Sequence, residues 1–174
     1  MGSISAETHM TKSNKKLSVQ LLIDDATLRA IGHVAAQWAV LEIEFDILLG
    51  RLLRHPDAEK IAPKAIPQSF DRRAKLFREC AKILLHDQPD LQKQLIAIVN
   101  DATSARRKRD DVIHGQWHLD RKKGKIGTAV TFVKQRPKFK AQLQHMSDAQ
   151  VEDVAATISM VTLKLIWWAQ MNVS

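Results

Sequence analysis

Three side chains near the middle of this chain could handle a phosphate ester. Arg109, Asp110 and His114 stand in the run Arg109-Asp110-Asp111-Val112-Ile113-His114-Gly115, at the end of an expected helix. Arginine grips phosphate oxygens with a planar fork that stays charged at any working pH. Histidine gives and takes protons near neutrality. Asp110 and His114 are four residues apart, so they share one helix face and can pair. Arg109 falls on the apolar stripe of its helix, where the pattern asks for leucine or isoleucine. A cation there needs partners, and Glu42, beside the stripe of the first helix, is the expected one.

The surroundings are basic. Residues 104–140 hold twelve lysines and arginines against three aspartates, a net of +9 in a chain of net +8, which leaves −1 for everything else. Such concentration is the footprint of a polyanionic partner. Arg106, Arg107 and Lys108 precede the motif, and Arg121, Lys122, Lys123 and Lys125 form a basic turn beyond it. Trp117 lies between the two groups, placed either to stack on a base or to roof the core.

Other chemistries are excluded or left without support. No glycine-rich phosphate loop and no Ser/His/Asp nucleophile pattern is present. His114 and His118 are four apart, but Gly115 ends the helix between them and no cysteine or glutamate completes a ligand set, so neither a metal nor another cofactor is expected. A single cysteine, Cys80, allows no internal disulfide and points to a reducing, cytoplasmic setting. The apolar run 161–171 is interrupted by Lys164 and reads as too short to span a bilayer.

Four helices must position these residues. The first is expected over 26–54, with Leu28, Ile31, Ala35, Trp38, Leu41, Phe45, Leu48 and Leu52 on one stripe, Asp24 or Asp25 as its cap and His55-Pro56 as its end. A proline-rich loop follows. The second helix is expected over 70–85 after Ser69, with Phe70, Leu76, Phe77, Cys80 and Ile83 or Leu84 inward. The third runs from Pro89 to about 114 and carries the motif at its end. The period then changes to that of a small hairpin over 116–134, with loop after Pro137. The last helix opens on Ser147-Asp148-Ala149-Gln150, a capping box, and carries Val151, Val154, Ile158, Val161, Leu165 and Trp168 inward. Trp167-Trp168 reads as a core or interface plug. Residues 1–17 read as leader and tail, and 18–174 as a single all-α domain: an antiparallel four-helix bundle with a β-hairpin inserted before the last helix.

Arg109, Asp110 and His114 at the end of a late helix resemble the motif of the HEPN-domain family: an arginine, a polar residue and a histidine a few positions on, in a small helical bundle. The resemblance covers roughly residues 24–172 in helix order. It implies a metal-independent endoribonuclease of the toxin or antiviral kind, acting as a homodimer in which two motifs meet, with RNA as substrate and a neutralising antitoxin among its partners. In that reading His114 transfers the proton and Arg109 holds the phosphate. The family's commoner residue at Asp110 is asparagine, and a carboxylate there repels phosphate unless His114 or Arg106 neutralises it. Two other readings stay open. In one, Arg109 and Asp110 form an ion pair that fixes packing in a non-catalytic binding or assembly module. In the other, the basic stretch binds nucleic acid without chemistry.

Overall fold

The computed structural model describes residues 24–173, apart from 60, 62–64, 121–124 and 136–137, and describes backbone alone at 116 and through the strand residues from 118 to 145. The leader and tail expected over 1–17 lie outside the described residues. Four helices form the framework: α1 (Asp25–Leu53), α2 (Phe70–Leu84), α3 (Pro89–Ile113) and α4 (Asp148–Asn172). Local chemistry explains their ends. The Asp24 carboxylate accepts the Thr27 N–H at 2.7 Å. The Thr27 hydrogen bonds hold the Asp24 carboxyl below the usual carboxylate range. At Ser147 the full capping box forms, with the Gln150 side chain accepting the Ser147 N–H at 2.8 Å. Ser69 heads α2 without a side-chain cap bond.

Helix directions differ from the expected antiparallel bundle. Thr27 Oγ1 donates to Asp148 Oδ1 at 2.7 Å, and His33 Nδ1 lies 2.7 Å from Glu152 Oε2. At the other end Leu48 lines a groove with Leu165 and Ala169. So α1 and α4 run side by side in the same direction. α2 also runs with α1: the Phe70 ring is 5.0 Å from both Trp38 and Phe45, Phe77 is 4.4 Å from Phe45, and Leu84 lines a cavity with Leu52. Only α3 is reversed, as shown by Gln92 Nε2 donating to Ala81 O and Arg78 donating to Asn100 and Thr103. The reason is the connection 54–69. It returns the chain alongside α1 before α2 begins at the level of Trp38. At about 3.3 Å per extended residue it easily covers the roughly 22 Å of helix between Trp38 and Leu53.

The core lies between the four helices and centres on Phe45, Phe77, Leu41, Leu95, Ile158 and Trp168, all at or near zero exposure. The α4 stripe is buried as expected. In the first half of α1 the buried residues are Thr27, Ala30 and Val34 rather than Leu28, Ile31 and Ala35, because the Thr27 hydroxyl turns inward to Asp148. On α2, Ile83 is exposed and an arginine takes a core place. Arg73, 7% exposed, stacks over Phe70 at 5.8 Å, donates to both Asp46 oxygens at 2.8 and 2.7 Å, and pairs with Glu42.

Between α3 and α4 the backbone runs through β1 (Gln116–Asp120), β2 (Lys125–Gln135) and β3 (Lys138–His145), antiparallel in the order β1-β2-β3. The stretch after Pro137, expected to be loop, is therefore strand paired with β2. The turn of the expected hairpin, 121–124, lies outside the described residues. By length and composition the whole of α4 is long and apolar enough to cross a membrane, although 44% of its most apolar window is buried in the bundle. Apolar residues on both its inward and outward sides produce that character.

Candidate functional site

The end of α3 brings the motif together. Arg109 crosses the outer edge of the core, with its guanidinium carbon 5.6 Å from the centre of the buried Trp38 ring on α1. The ring face attracts the cation. Arg109 Nη1 donates to Asp110 Oδ1 at 2.8 Å and lies 3.4 Å from His114 Nε2. Arg109 Nε is buried with no hydrogen-bond partner. His114 caps α3, its backbone N–H donating to Asp110 O at 2.9 Å, while its ring is largely exposed. His114 Nε2 is 4.0 Å from Asp110 Oδ1. The imidazole is therefore open to solvent on one side and held near an arginine and a carboxylate on the other.

Arg106, one turn earlier, completes a chain of charges. Its Nε lies 3.4 Å from Asp110 Oδ2, and its Nη1 pairs with Asp71 at the start of α2. That hydrogen bond to Asp71 raises the arginine's pKa above its ordinary value. Asp110 thus sits between two guanidinium groups, and two arginines face two carboxylates. Excess positive charge must come from His114 when protonated and from the exposed neighbours. Asp111 points elsewhere. Burial, and then the negative charge of Asp110, push its carboxyl above the usual range.

Arg106, Arg109, Asp110 and His114 are brought together. Glu42 is not the partner of Arg109, because Arg73 takes it. Lys108 is directed to a groove on the other side of α3, lined by Asp101, Asp153 and Lys164. Arg107 is exposed. Trp117 packs partly against the core and donates its indole N–H to Val112 O at 3.0 Å. Arg121, Lys122 and Lys123 lie outside the described residues, and Lys125 begins β2. Two further residues belong to the site: Trp38, which the apolar spacing places on the core stripe of α1, and Asp71 at the start of α2. The signal for Trp38 was an arginine and a tryptophan at equivalent inward positions on two helices that must meet. Asp71, adjacent to an N-cap serine, carries no such signal. Among the described residues no group of three histidines, cysteines or carboxylates could hold a metal ion.

The arrangement can bind one phosphate oxygen between Arg109 and His114, and it can move one proton through the exposed imidazole. Compared with family models, with curated proteins and with solved structures, the chain matches none. Its class rests on its own geometry: a four-helix protein with a charged, histidine-bearing helix end.

Proposed function

We propose that this chain is an RNA-binding protein of the HEPN type, a cytoplasmic metal-independent endoribonuclease whose basic stretch over 104–140 attracts the RNA backbone. The observation that supports this reading is the clustering of Arg109, Asp110 and His114 at one exposed helix end, with the Arg109 guanidinium over the Trp38 ring. RNA carries its own nucleophile. A base removes the 2′-hydroxyl proton, the oxygen attacks the adjacent phosphorus, the bond to the 5′-oxygen breaks, and an acid protonates the departing 5′-hydroxyl. The products are a 2′,3′-cyclic phosphate and a 5′-hydroxyl. Arg109 stabilises the charge on the crowded phosphate, and His114 carries one of the two proton transfers. A second copy docked at this edge would supply the other histidine, making a composite site across a homodimer. An antitoxin that masks the same edge is the natural inhibitor in this scheme.

Purified protein and its His114→Ala variant, incubated with mixed single-stranded RNA in EDTA, test the reading. Cleavage by the parent alone, leaving cyclic phosphate ends and reduced about 10²–10⁴-fold by the substitution, is the expected outcome. His114 is exposed, so the variant's melting temperature stays within a degree or two of the parent's. The absence of cleavage by either protein across several RNAs refutes it. One observation favours a second reading, the non-catalytic module: Asp110 is already paired with both arginines. In that case Arg109→Ala lowers stability and leaves RNA binding to the basic insert unchanged.

A further inference from the structure

A different surface carries an independent inference. Because α1 and α4 run in parallel, offset by 121 residues at Thr27–Asp148 and by 119 at His33–Glu152, their outward residues form level rungs. Val40 lies level with Met160, Ile43 with Leu163, and Ile47 with Trp167. All six are between 46% and 63% exposed. The spacings 40, 43, 47 and 160, 163, 167 each follow one helix face. Together the rungs expose roughly 600 Å² of apolar surface, the top of the range for the largest patch on a soluble monomer. That is also about three quarters of the roughly 800 Å² that each partner contributes to a stable interface.

We propose that this face is the seam of a homodimer, with the second copy seated antiparallel across a two-fold axis near the Ile43–Leu163 rung. Charge at the two ends of the patch selects that occupant and that direction. The lower end carries Asp148 and Glu152 at the start of α4, and the upper end carries Arg51 and the exposed Arg54 at the end of α1. Turning one copy about the Ile43–Leu163 rung brings Arg54 to the level of the partner's Glu152, and the reverse contact forms by symmetry. A parallel seam would gather the arginines of both copies at one end and the acids of both at the other. The seam does not involve the phosphate-handling cluster. Trp38, which supports Arg109, lies roughly 160° around α1 from Val40 at 100° per residue. A dimer closed here leaves both His114 edges open, so any pairing of those edges is a second interface and the assembly a tetramer. The proposal stands whether or not the protein cleaves RNA.

Molar mass by light scattering, run on the full chain, tests it. The parent is expected as a dimer, or as a tetramer that Trp167→Glu reduces to a dimer. In the dimeric case Trp167→Glu raises the dissociation constant at least about 100-fold, the range for a central aromatic anchor, with an unchanged helical circular dichroism spectrum. Leu163→Glu, on the middle rung, gives the same result if the first variant is poorly folded. His114→Ala leaves the mass unaltered. Arg54→Glu weakens the dimer, and adding Glu152→Arg restores it. A monomeric parent overturns the proposal. In that case, binding to phosphatidylserine vesicles that Trp167→Glu abolishes reassigns the face to a membrane, and a patch uncovered only by deleting residues 1–23 reassigns it to the chain's own leading segment. A mass unchanged in both the Trp167→Glu and Leu163→Glu variants, or no rescue by Glu152→Arg, overturns it equally.

Discussion

Arg73 and Arg109 occupy similar ground and are held in different ways. Each lies on an aromatic ring of the core, Arg73 over Phe70 and Arg109 over Trp38. Each has a buried Nε without a partner. Arg73 is fastened to two carboxylates of another helix, Glu42 and Asp46, so its bonds tie α2 to α1. Arg109 is bonded to Asp110, its immediate neighbour on the same helix, and approaches the exposed His114. Its bonds tie nothing together across the bundle. A guanidinium whose partners come from a second helix is part of the framework, since moving it separates the helices. One whose anion is local and a third exposed can exchange that anion for a phosphate at little cost to the fold.

Truncation breaks the comparison most directly. Arg73→Ala strands two carboxylates at the α1–α2 junction. Because both are partly exposed, the loss is expected at about 2–3 kcal/mol, somewhat below that for a fully buried pair. Arg109→Ala should cost no more than about 1 kcal/mol. Urea midpoints at constant slope measure both, and a reversed order would make Arg109 the structural residue. Cys80 gives a finer reading of the same contrast. Burial, with Glu79 adding to it, pushes its thiol up to about 11. It lies on the buried face of α2, two turns beyond Arg73. Labelling with a thiol reagent at pH 8 should be slow in the parent, at least about tenfold faster in Arg73→Ala, and nearly unchanged in Arg109→Ala.

Exchanging the local anion sharpens the contrast further. Asp110→Asn removes the charge that competes with phosphate and should tighten RNA binding several-fold, read by fluorescence anisotropy at fixed salt. Asp46→Asn should leave binding alone and lower stability. The smallest effect belongs to Asp111. Its raised carboxyl pKa means that the charged form is disfavoured in the fold. That cost is fully present above the folded pKa and disappears as pH falls below the unfolded value near 3.8. Asp111→Asn should therefore raise the melting temperature slightly at pH 7 and not at about pH 3.

The helices and the motif could be read from sequence for the same reason: both are local. The spacing in α4, the capping box at Ser147 and the proline at the start of α3 act within a few residues, and each lands within one or two positions of the observed element. The charge of Arg109 on an inward position was equally visible. What was hidden depends on which helix lies beside which. Glu42 borders the inward stripe of α1, and nothing local in the sequence says whether it meets Arg109 or Arg73. Once 54–69 carries the chain back along α1, Arg73 reaches Glu42 and Asp46 first. Asp71 meets Arg106 through the antiparallel pairing of α2 with α3, a contact that no residue near either one announces. The third strand was missed because lysines at alternate positions on a sheet edge have the composition of a loop.

The parallel pairing of α1 with α4 also has a consequence in time. Thr27 and the Asp148 it bonds are 121 residues apart. At ordinary elongation rates a ribosome needs roughly ten seconds to make the intervening chain. Through that interval the most extensive partner of α1 has not been synthesised, and the stripe from Trp38 to Leu52 can be covered only by α2 and α3. The nascent protein therefore passes through a three-helix stage with an open apolar flank, which closes only when α4 joins it.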